Sequence, residues 1–517
     1  MIDNPGEIGI IKDIPGHELP LNAYSDGQNV RFNDTYVEKS LGHSSVFTPS
    51  IEPYYLLSMS TTEVFYWIYA GLSKIYITEG TNHNDASGTT YVTTVDKGWE
   101  GDSFEGIPIL CNEVDYPQAL FPVSPGNTFA ILANWPTNYY AKVVKKYKNY
   151  LVALNITKNS IHYPTLIKTS HQADPGTLPS SWDYTDPTLD ATETPLSGVK
   201  GEIQNGGTLG DSFIIYAEGS THEMRLIGGQ SIFGYRTLFS EAGMFSKKCF
   251  AKFTKGGIEQ HCVLTNDDLI IHDGHTYQSI IKGRYKDTLF SELQSSTNVV
   301  RAFLAPNYRK DEIWICYPTG SNEQCDKALI WNYSNNTFGF RTISASHIAF
   351  DIIDPTTTAT WDSDTDTWDS DTEVWSTRLY NPSKRGMLMA DAVNTKIFKI
   401  DDTNQFNGVN IVSYVQRDGL GILKNGKIDL KNRKRINAVY PRFSGSGSVT
   451  FFVGTQDAPG GSITWDSGTT LTIGASTSYK IDVIKDGRML AYKIYSEGDV
   501  SWRFHGMDVD FTVTGTQ

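Results

Sequence analysis

Cysteine is scarce in this chain, with five residues in 517, at positions 111, 249, 262, 316 and 325. The number is odd, and no pair has zinc or redox spacing; Cys316 and Cys325 lie nine apart. Four of the five sit beside apolar residues, which predicts buried reduced thiols instead of a disulfide framework. Long apolar runs are also missing. None approaches the roughly 18 residues needed to cross a bilayer, so no membrane span is expected. Positive charge is in deficit, 44 Lys and Arg against 58 Asp and Glu, for a formal net charge of −14. That excludes a general nucleic-acid coat, which needs excess cations to displace counterions from phosphate. It leaves open a surface over which DNA slides without sticking. The opening MIDNPGEIGIIKDIPG has acidic residues and Pro where a secretory leader carries a basic start and a long apolar core. The expectation is a protein made in a reducing cytoplasm that leaves by lysis or within a particle. HExxH and GxSxG do not occur, and the 11 His are scattered. No catalytic residue, metal ligand or cofactor is expected. Paired carboxylates for glycoside hydrolysis stay open, because such partners need not be close in sequence.

Aromatic residues and glycine are abundant, at 12% and 45 residues, and long Ala/Glu/Lys/Leu blocks are absent. This balance favours β structure. The stretch Gln260 to Ile281, QHCVLTNDDLIIHDGHTYQSII, sets the pattern. Cys262–Leu264 and Leu269–Ile271 are apolar runs separated by Asn266-Asp267-Asp268, and Asp273-Gly274 ends the second. Asn, Asp and Gly tolerate the backbone of tight turns, so the stretch reads as three antiparallel strands, most of one propeller blade. Comparable hairpins are read at Phe65 to Ile77, Asn149 to Ile161, Ser212 to Ile227, Glu312 to Tyr333 and Met387 to Ile400. Recurrence at blade length predicts a propeller, with a stacked β-sandwich assembly as the rival.

The fold class expected is all-β, a β-propeller with an extended N-terminal arm and a C-terminal β-sandwich. The arm is placed at residues 1–50, the propeller with long loop insertions at 51–404, and the sandwich at 405–517. The arm, rich in turn signals, either packs on a neighbouring subunit or adds an edge strand. Pro-rich His171 to Pro195 and acidic Pro355 to Tyr380 are expected to be loops outside the core. The sandwich follows from short alternating strands between residues 449 and 513, with turns near Asp457, Asp466, Asp486 and Glu497.

Candidate chemistry is thin. Gly421 to Lys427, GILKNGK, nearly meets the phosphate-loop pattern, but Ile428 follows where Ser or Thr is needed, so an ordinary turn is expected. TWDSGTTL, Thr464 to Leu471, resembles one glycosidase-type Asp box, and an Asp-Ser-Gly turn accounts for it. The loop Trp361, Asp362, Asp364, Asp366, Trp368 and Trp375 repeats W-D-S-D-T. It reads either as a solvated acidic loop whose Trp side chains dock on a neighbouring surface or as a weak cation site; it lacks the Gly of a calcium loop. The basic run Lys424, Lys427, Lys431, Arg433, Lys434 and Arg435 reads as a solvated face, or as a contact to phosphate or an acidic partner.

ELPLNAYSDGQNVRFNDTYVEKSLG, Glu18 to Gly42, resembles the N-terminal signature of tail hub or nozzle proteins of short-tailed bacteriophages and prophages, the packaged-DNA stabilisation or tail tubular B-like family. YLVALN at Tyr150, LPSSWDYTDP at Leu178, DSFIIY at Asp211, VLTNDDLIIHDG at Val263, KALIWNYSNN at Lys327 and the WDSD loop are similar too. So is DGRMLAYKIYSEGDVSWRFHGMDVDF, Asp486 to Phe511. These stretches run in order through nearly the whole chain. Thr35 departs from the pattern, where Gly is expected in a turn. The resemblance implies a structural virion protein, assembled in host cytoplasm as a homohexameric ring below the portal. Its implied partners are a portal adaptor or head-completion protein and a tail fibre, spike or needle. Double-stranded DNA would be retained behind it and pass through at ejection. The family supplies no catalytic residues. The alternatives are a tail-associated propeller that degrades glycans and one that binds a receptor.

Overall fold

The computed structural model describes residues 1–60, 65–79, 82–229, 231–353, 385–421, 423, 424 and 427–515. Six four-stranded antiparallel sheets follow one another between Tyr55 and Ala345, and His347–Ile352, Arg385–Asp391 and Lys396–Ile400 belong to a seventh, six-stranded sheet. The first strands of the blades are Tyr55–Ser60, Glu100–Phe104, Tyr139–Tyr147, Ile203–Leu209, Phe250–Lys255, Phe303–Asn307 and His347–Ile352. Each of these packs against the corresponding strand or the sheet of the next blade, and the seventh packs against the first, which closes a ring. The fold of this part is a seven-bladed β-propeller.

Second strands carry the clearest sequence signal. Phe65–Ala70, Ile107–Cys111, Ser212–Ala217 and Glu312–Tyr317 are buried at every residue. Blades pack face to face, so a central strand is covered on both sides and reads as a continuous apolar run instead of an alternating one. Between blades seven and one, for example, Ile352, Leu388 and Ile397 meet Leu56, Trp67 and Tyr69.

The stretch Gln260 to Ile281 folds as expected: Ile258–Leu264, Leu269–His272 and Tyr277–Ser279 are the last three strands of blade five. Two readings change. Blade two, Glu100–Phe104, Ile107–Cys111, Gln118–Ala119 and Ala130–Ile131, has no counterpart among the hairpins expected from sequence. Its outer strands are two residues long and leave no periodic trace. Tyr150–Lys158 is one strand, not a hairpin. Asn155, with φ 55, sits at a register shift between Leu154 and Ile156, and its amide donates to the Ile203 carbonyl at 3.0 Å. A bulge and a turn recruit the same residue type.

Residues 1–50 are woven into both domains of their own chain. His43–Phe47 pairs with Lys396–Ile400 and is the fourth strand of blade seven, so the ring closes with a strand from the N-terminal side. Asp26–Gln28 pairs with Val412–Leu420, and Tyr36–Lys39 pairs with Ser501–Gly515. Ile2–Asp3 adds to the same sheet opposite Gly506 and Met507. Gly506 has φ +124, and a Cβ there would stand 2.1 Å from the Ile2 carbonyl oxygen, so a side chain at 506 would expel the first strand. Asp13 accepts from the backbone N–H groups of Asp287 and Thr288 at 2.9 and 3.1 Å. It thereby caps the helix Lys286–Ser295 from a distant part of the chain.

The C-terminal part is a two-sheet β-sandwich. One sheet contains Ile481–Gly487, Arg433–Ser446 and Ser501–Gly515; the other contains Val412–Leu420, Met489–Glu497 and Ser448–Gln456. Where short strands are expected up to residue 513, Ser501–Gly515 is one long strand that passes through Gly506. Val415, Phe451, Tyr492 and Phe504 join arm residues Tyr24 and Phe32 and propeller residues Phe338 and Phe340 in one apolar core.

Candidate functional site: the arm clamp and the propeller axis

The acidic loop with Trp361, Asp362, Asp364, Asp366, Trp368 and Trp375 lies outside the described residues. In the basic run, Leu423–Lys424 pairs with Lys427–Ile428 in a two-stranded hairpin, so GILKNGK spans a turn. Arg433 reaches Asp457 at 3.1 Å, and Arg435 reaches Asp486 at 3.0 Å. Lys434 is buried; its ammonium donates to the Arg488 carbonyl at 3.0 Å and to that of Asp429, and burial lowers its pKa. Lys431 is exposed, and it is the one described side chain of the run without a partner. Tertiary folding therefore spends much of this charge inside the domain. The Asp box of Thr464 to Leu471 is a turn, in which Asp466 Oδ1 accepts from Gly468 and Val453 N–H at 3.0 and 3.1 Å.

The strongest buried charge cluster joins the arm to blades six and seven. Arg31, on the arm strand Val30–Asn33, donates through Nε and Nη2 to Glu312 at 2.7 and 3.1 Å. Through Nη1 and Nη2 it also donates to Asp401 at 2.8 and 2.7 Å. Arg341 adds a bond to Asp401 at 3.0 Å and one to the Gly42 carbonyl at 3.2 Å, and its guanidinium lies 4.9 Å from the Trp314 ring centre. Trp314 and Asn307 complete the shell of Glu312 at 3.0 and 3.3 Å. Two guanidiniums thus face two carboxylates, and the paired geometry satisfies both ends. Burial by itself would raise the Asp401 carboxyl; Arg31 and Arg341 hold it below the ordinary value. Burial opposes the Arg31 charge, and Asp401 and Glu312 more than restore it.

A second cluster fills the propeller axis. Lys145 of blade three donates to Glu100 of blade two at 2.6 Å and to the Gly101 carbonyl at 2.8 Å. Asn205 of blade four reaches Glu100 at 3.4 Å and the Lys247 carbonyl at 2.6 Å. Lys247, which leads into blade five, donates to the Lys97 and Gly98 carbonyls at 2.6 and 3.1 Å and to Glu113 at 3.3 Å. Blades two and five are not neighbours, so these bonds cross the axis. Glu100, Asn205 and Lys247 are buried, and the centre of the propeller is occupied by its own side chains.

The histidines of Gln260 to Ile281 form a third group. Gly274 N–H donates to His272 Nδ1 at 3.3 Å, which leaves the ring proton on Nε2. His272 Nε2–H then donates to Tyr216 Oη at 2.7 Å, Tyr216 donates to His261 Nδ1 at 2.6 Å, and His261 Nε2–H donates to the Thr208 carbonyl at 3.1 Å. Every donor in the chain has one acceptor. Burial pushes His261 down to about 3 and His272 to about 4, so both rings are neutral across the physiological range. The group ties blade four to blade five.

Sequence reading brought none of these clusters together. Arg31 interrupts the apolar run Val30-Arg31-Phe32, and Glu312 opens the run EIWICY. A charged residue inside a buried strand is a signal that a partner exists, but its identity lies hundreds of residues away.

No family model matches the chain, and no curated protein matches it. Among solved structures, it is similar to the computationally designed Ika8 protein, at 10% identity over 69% of this chain and 99% of that one, with a TM-score of 0.36. The WD40 β-propeller domain of Doa1 is 8% identical over 70% of this chain and 96% of its own, also at 0.36. The N-terminal domain of Nup159 is 8% identical over 72% and 98%, again at 0.36. At these scores the propeller assignment rests on the sheet order and ring closure described above.

Proposed function

We propose that this chain is a structural subunit of a phage tail hub or nozzle, which assembles as a ring below the portal, retains packaged DNA and conducts it at ejection. The observation that carries the reading is the role of Glu18 to Gly42, the stretch with the clearest resemblance to that family. Its residues supply strands to the sandwich, set Arg31 between Glu312 and Asp401, and lead into the strand that closes the propeller. The family-like residues do architectural work. The proposed role is accordingly mechanical and electrostatic: a subunit of net charge −14 repels phosphate, which lowers sticking in a shared lumen. Because the propeller axis is filled, the proposed DNA passage lies between subunits and not through a blade ring. A closed ring of copies needs head-to-tail interfaces. The proposed partners are a portal adaptor on one side and a fibre, spike or needle on the other, within the virion.

Electron microscopy of the purified chain mixed with its portal adaptor tests the reading. A ring with an open centre is the expected result; a lone monomer at saturating adaptor would sink it. New reducing ends after incubation with host surface polysaccharide would instead favour a glycan-degrading propeller.

A further inference from the structure

We propose that the mouth of the propeller axis binds a small oxyanion at Lys248. A cavity of about 50 Å³ opens there, lined among others by Tyr54, Gly98, Lys247, Lys248, Arg301 and Cys325. A bound water needs roughly 10–15 Å³ on the same kind of measure, so the space admits one small polyatomic ion with little else.

Two cations around this mouth, Lys248 and the exposed Lys97, have no ion pair among the described residues, and the others are paired. Lys145 has Glu100 at 2.6 Å, Lys247 has two carbonyls and Glu113, and Arg301 has Asp96 at 2.7 Å. The Lys248 carbonyl accepts from Leu304 N–H at 3.0 Å, but its ammonium has neither a hydrogen bond nor an ion pair among the described residues. Its ammonium lies 4.9 Å from the centre of the Tyr55 ring and 3.8 Å from where a Cβ on Gly98 would stand. Glu323 lines the same cavity from an exposed position and makes no ion pair with it.

His347 leans on the same aromatic ring, with centres 4.5 Å apart. Its Nδ1 accepts from Leu56 N–H at 3.2 Å, so the ring proton is on Nε2, and that N–H has no acceptor among the described residues. Two donors with no acceptor among the described residues thus border one tyrosine. A partly buried ammonium that shares the Glu100 charge with Lys145 and Lys247 is incompletely neutralised, and a charge-assisted bond to an oxyanion offsets that cost. Burial lowers Lys248 to about 8, which leaves it cationic at neutral pH. Glu100, the carboxylate whose charge reaches Lys248, is already bonded to Lys145 at 2.6 Å, and Glu323 stays at the exposed rim, so a directly bonded counter-charge for the ammonium would come from outside the chain.

Amine modification of the intact chain tests this. Reductive methylation is followed peptide by peptide at constant ionic strength, with inorganic phosphate exchanged for chloride. At phosphate about ten times its dissociation constant, Lys248 should react about tenfold more slowly, while exposed Lys255 and Lys310 keep their rates. In parallel, phosphate should raise the melting temperature of the native chain and leave that of Lys248→Met unchanged. Unaltered labelling of Lys248 overturns the proposal. So does equal slowing at Lys310, equal protection by chloride, or the same phosphate response in Lys248→Met. The labelling arm needs no variant, so it decides the question even where Lys248→Met does not fold.

Discussion

The propeller and the sandwich bury similar strands but gather them in opposite ways. Each of the first six blades takes its four strands from one continuous stretch of chain. The sandwich draws on strands before residue 40 and after residue 411, with the whole propeller between them. Blade seven shares the second habit, since its outer strand comes from His43–Phe47. Local hairpins form with little loop-closure entropy, whereas distant strands must wait until the intervening chain is compact. The ring and the sandwich are therefore completed together, and the N-terminal stretch is the common part.

Removing residues 1–47 is the largest perturbation of that arrangement. It takes the closing strand, four strand segments of the sandwich sheets and Arg31 at once. The expected outcome is loss of the cooperative thermal transition in both domains, followed by circular dichroism and by hydrogen exchange on blade peptides. A truncated chain whose blade seven keeps native protection would break the comparison.

Arg31→Ala separates the two domains more finely. It leaves Glu312 without its guanidinium and Asp401 with Arg341 alone in a buried site, and breaking such a cluster from one side costs about 3–5 kcal/mol. Ile215→Ala perturbs a blade alone. Ile215 is fully buried in the second strand of blade four, and the cavity costs about 3 kcal/mol. Chemical denaturation measures both. Arg31→Ala should loosen exchange in both domains and Ile215→Ala chiefly in the propeller; identical exchange maps would refute a special role for the arm.

Acid sharpens the comparison because the buried histidine group lies in the propeller. Burial depresses His261 and His272 from 6.5 to about 3 and about 4. The unfolded chain takes up these protons first, so their contribution is complete above pH 6.5 and is lost as pH falls through 4. The melting temperature should decline across that window, with a shallower slope for His272→Gln. Parallel slopes would remove the histidines from the explanation.

Smaller effects mark the periphery. Asp13→Ala removes a helix cap supplied by the arm and should cost about 1 kcal/mol. Arg435→Gln, in an exposed pair with Asp486, should leave the denaturation midpoint unchanged. A marked loss there would mean that the basic run carries structural weight beyond its pairs.

Legibility followed the physics of burial. Runs such as FYWIYA, SFIIYA and EIWICY announced central blade strands because both of their faces are covered. The hairpin of Gln260 to Ile281 was readable because Asn, Asp and Gly marked its turns. Blade two escaped because short edge strands such as Gln118–Ala119 are defined by pairing and carry no pattern of their own. Asn155 misled because it accepts positive φ in a bulge as readily as in a turn. Arg433, Lys434 and Arg435 resembled an available basic face until Asp457, Asp429 and Asp486 were placed beside them.

By itself the sequence determined an all-β chain, the central strands of most blades, a change of character near residue 405 and the acidic balance. These depend on composition and on patterns a few residues long. The tertiary structure alone decided that there are seven blades, that the ring closes through His43–Phe47, and that Arg31 meets Glu312 and Asp401. It also decided that the axis is filled and that Lys145 and Lys248 share the charge of Glu100. Such outcomes depend on which distant residues meet when the chain closes, and electrostatic pairing across hundreds of residues leaves no local mark.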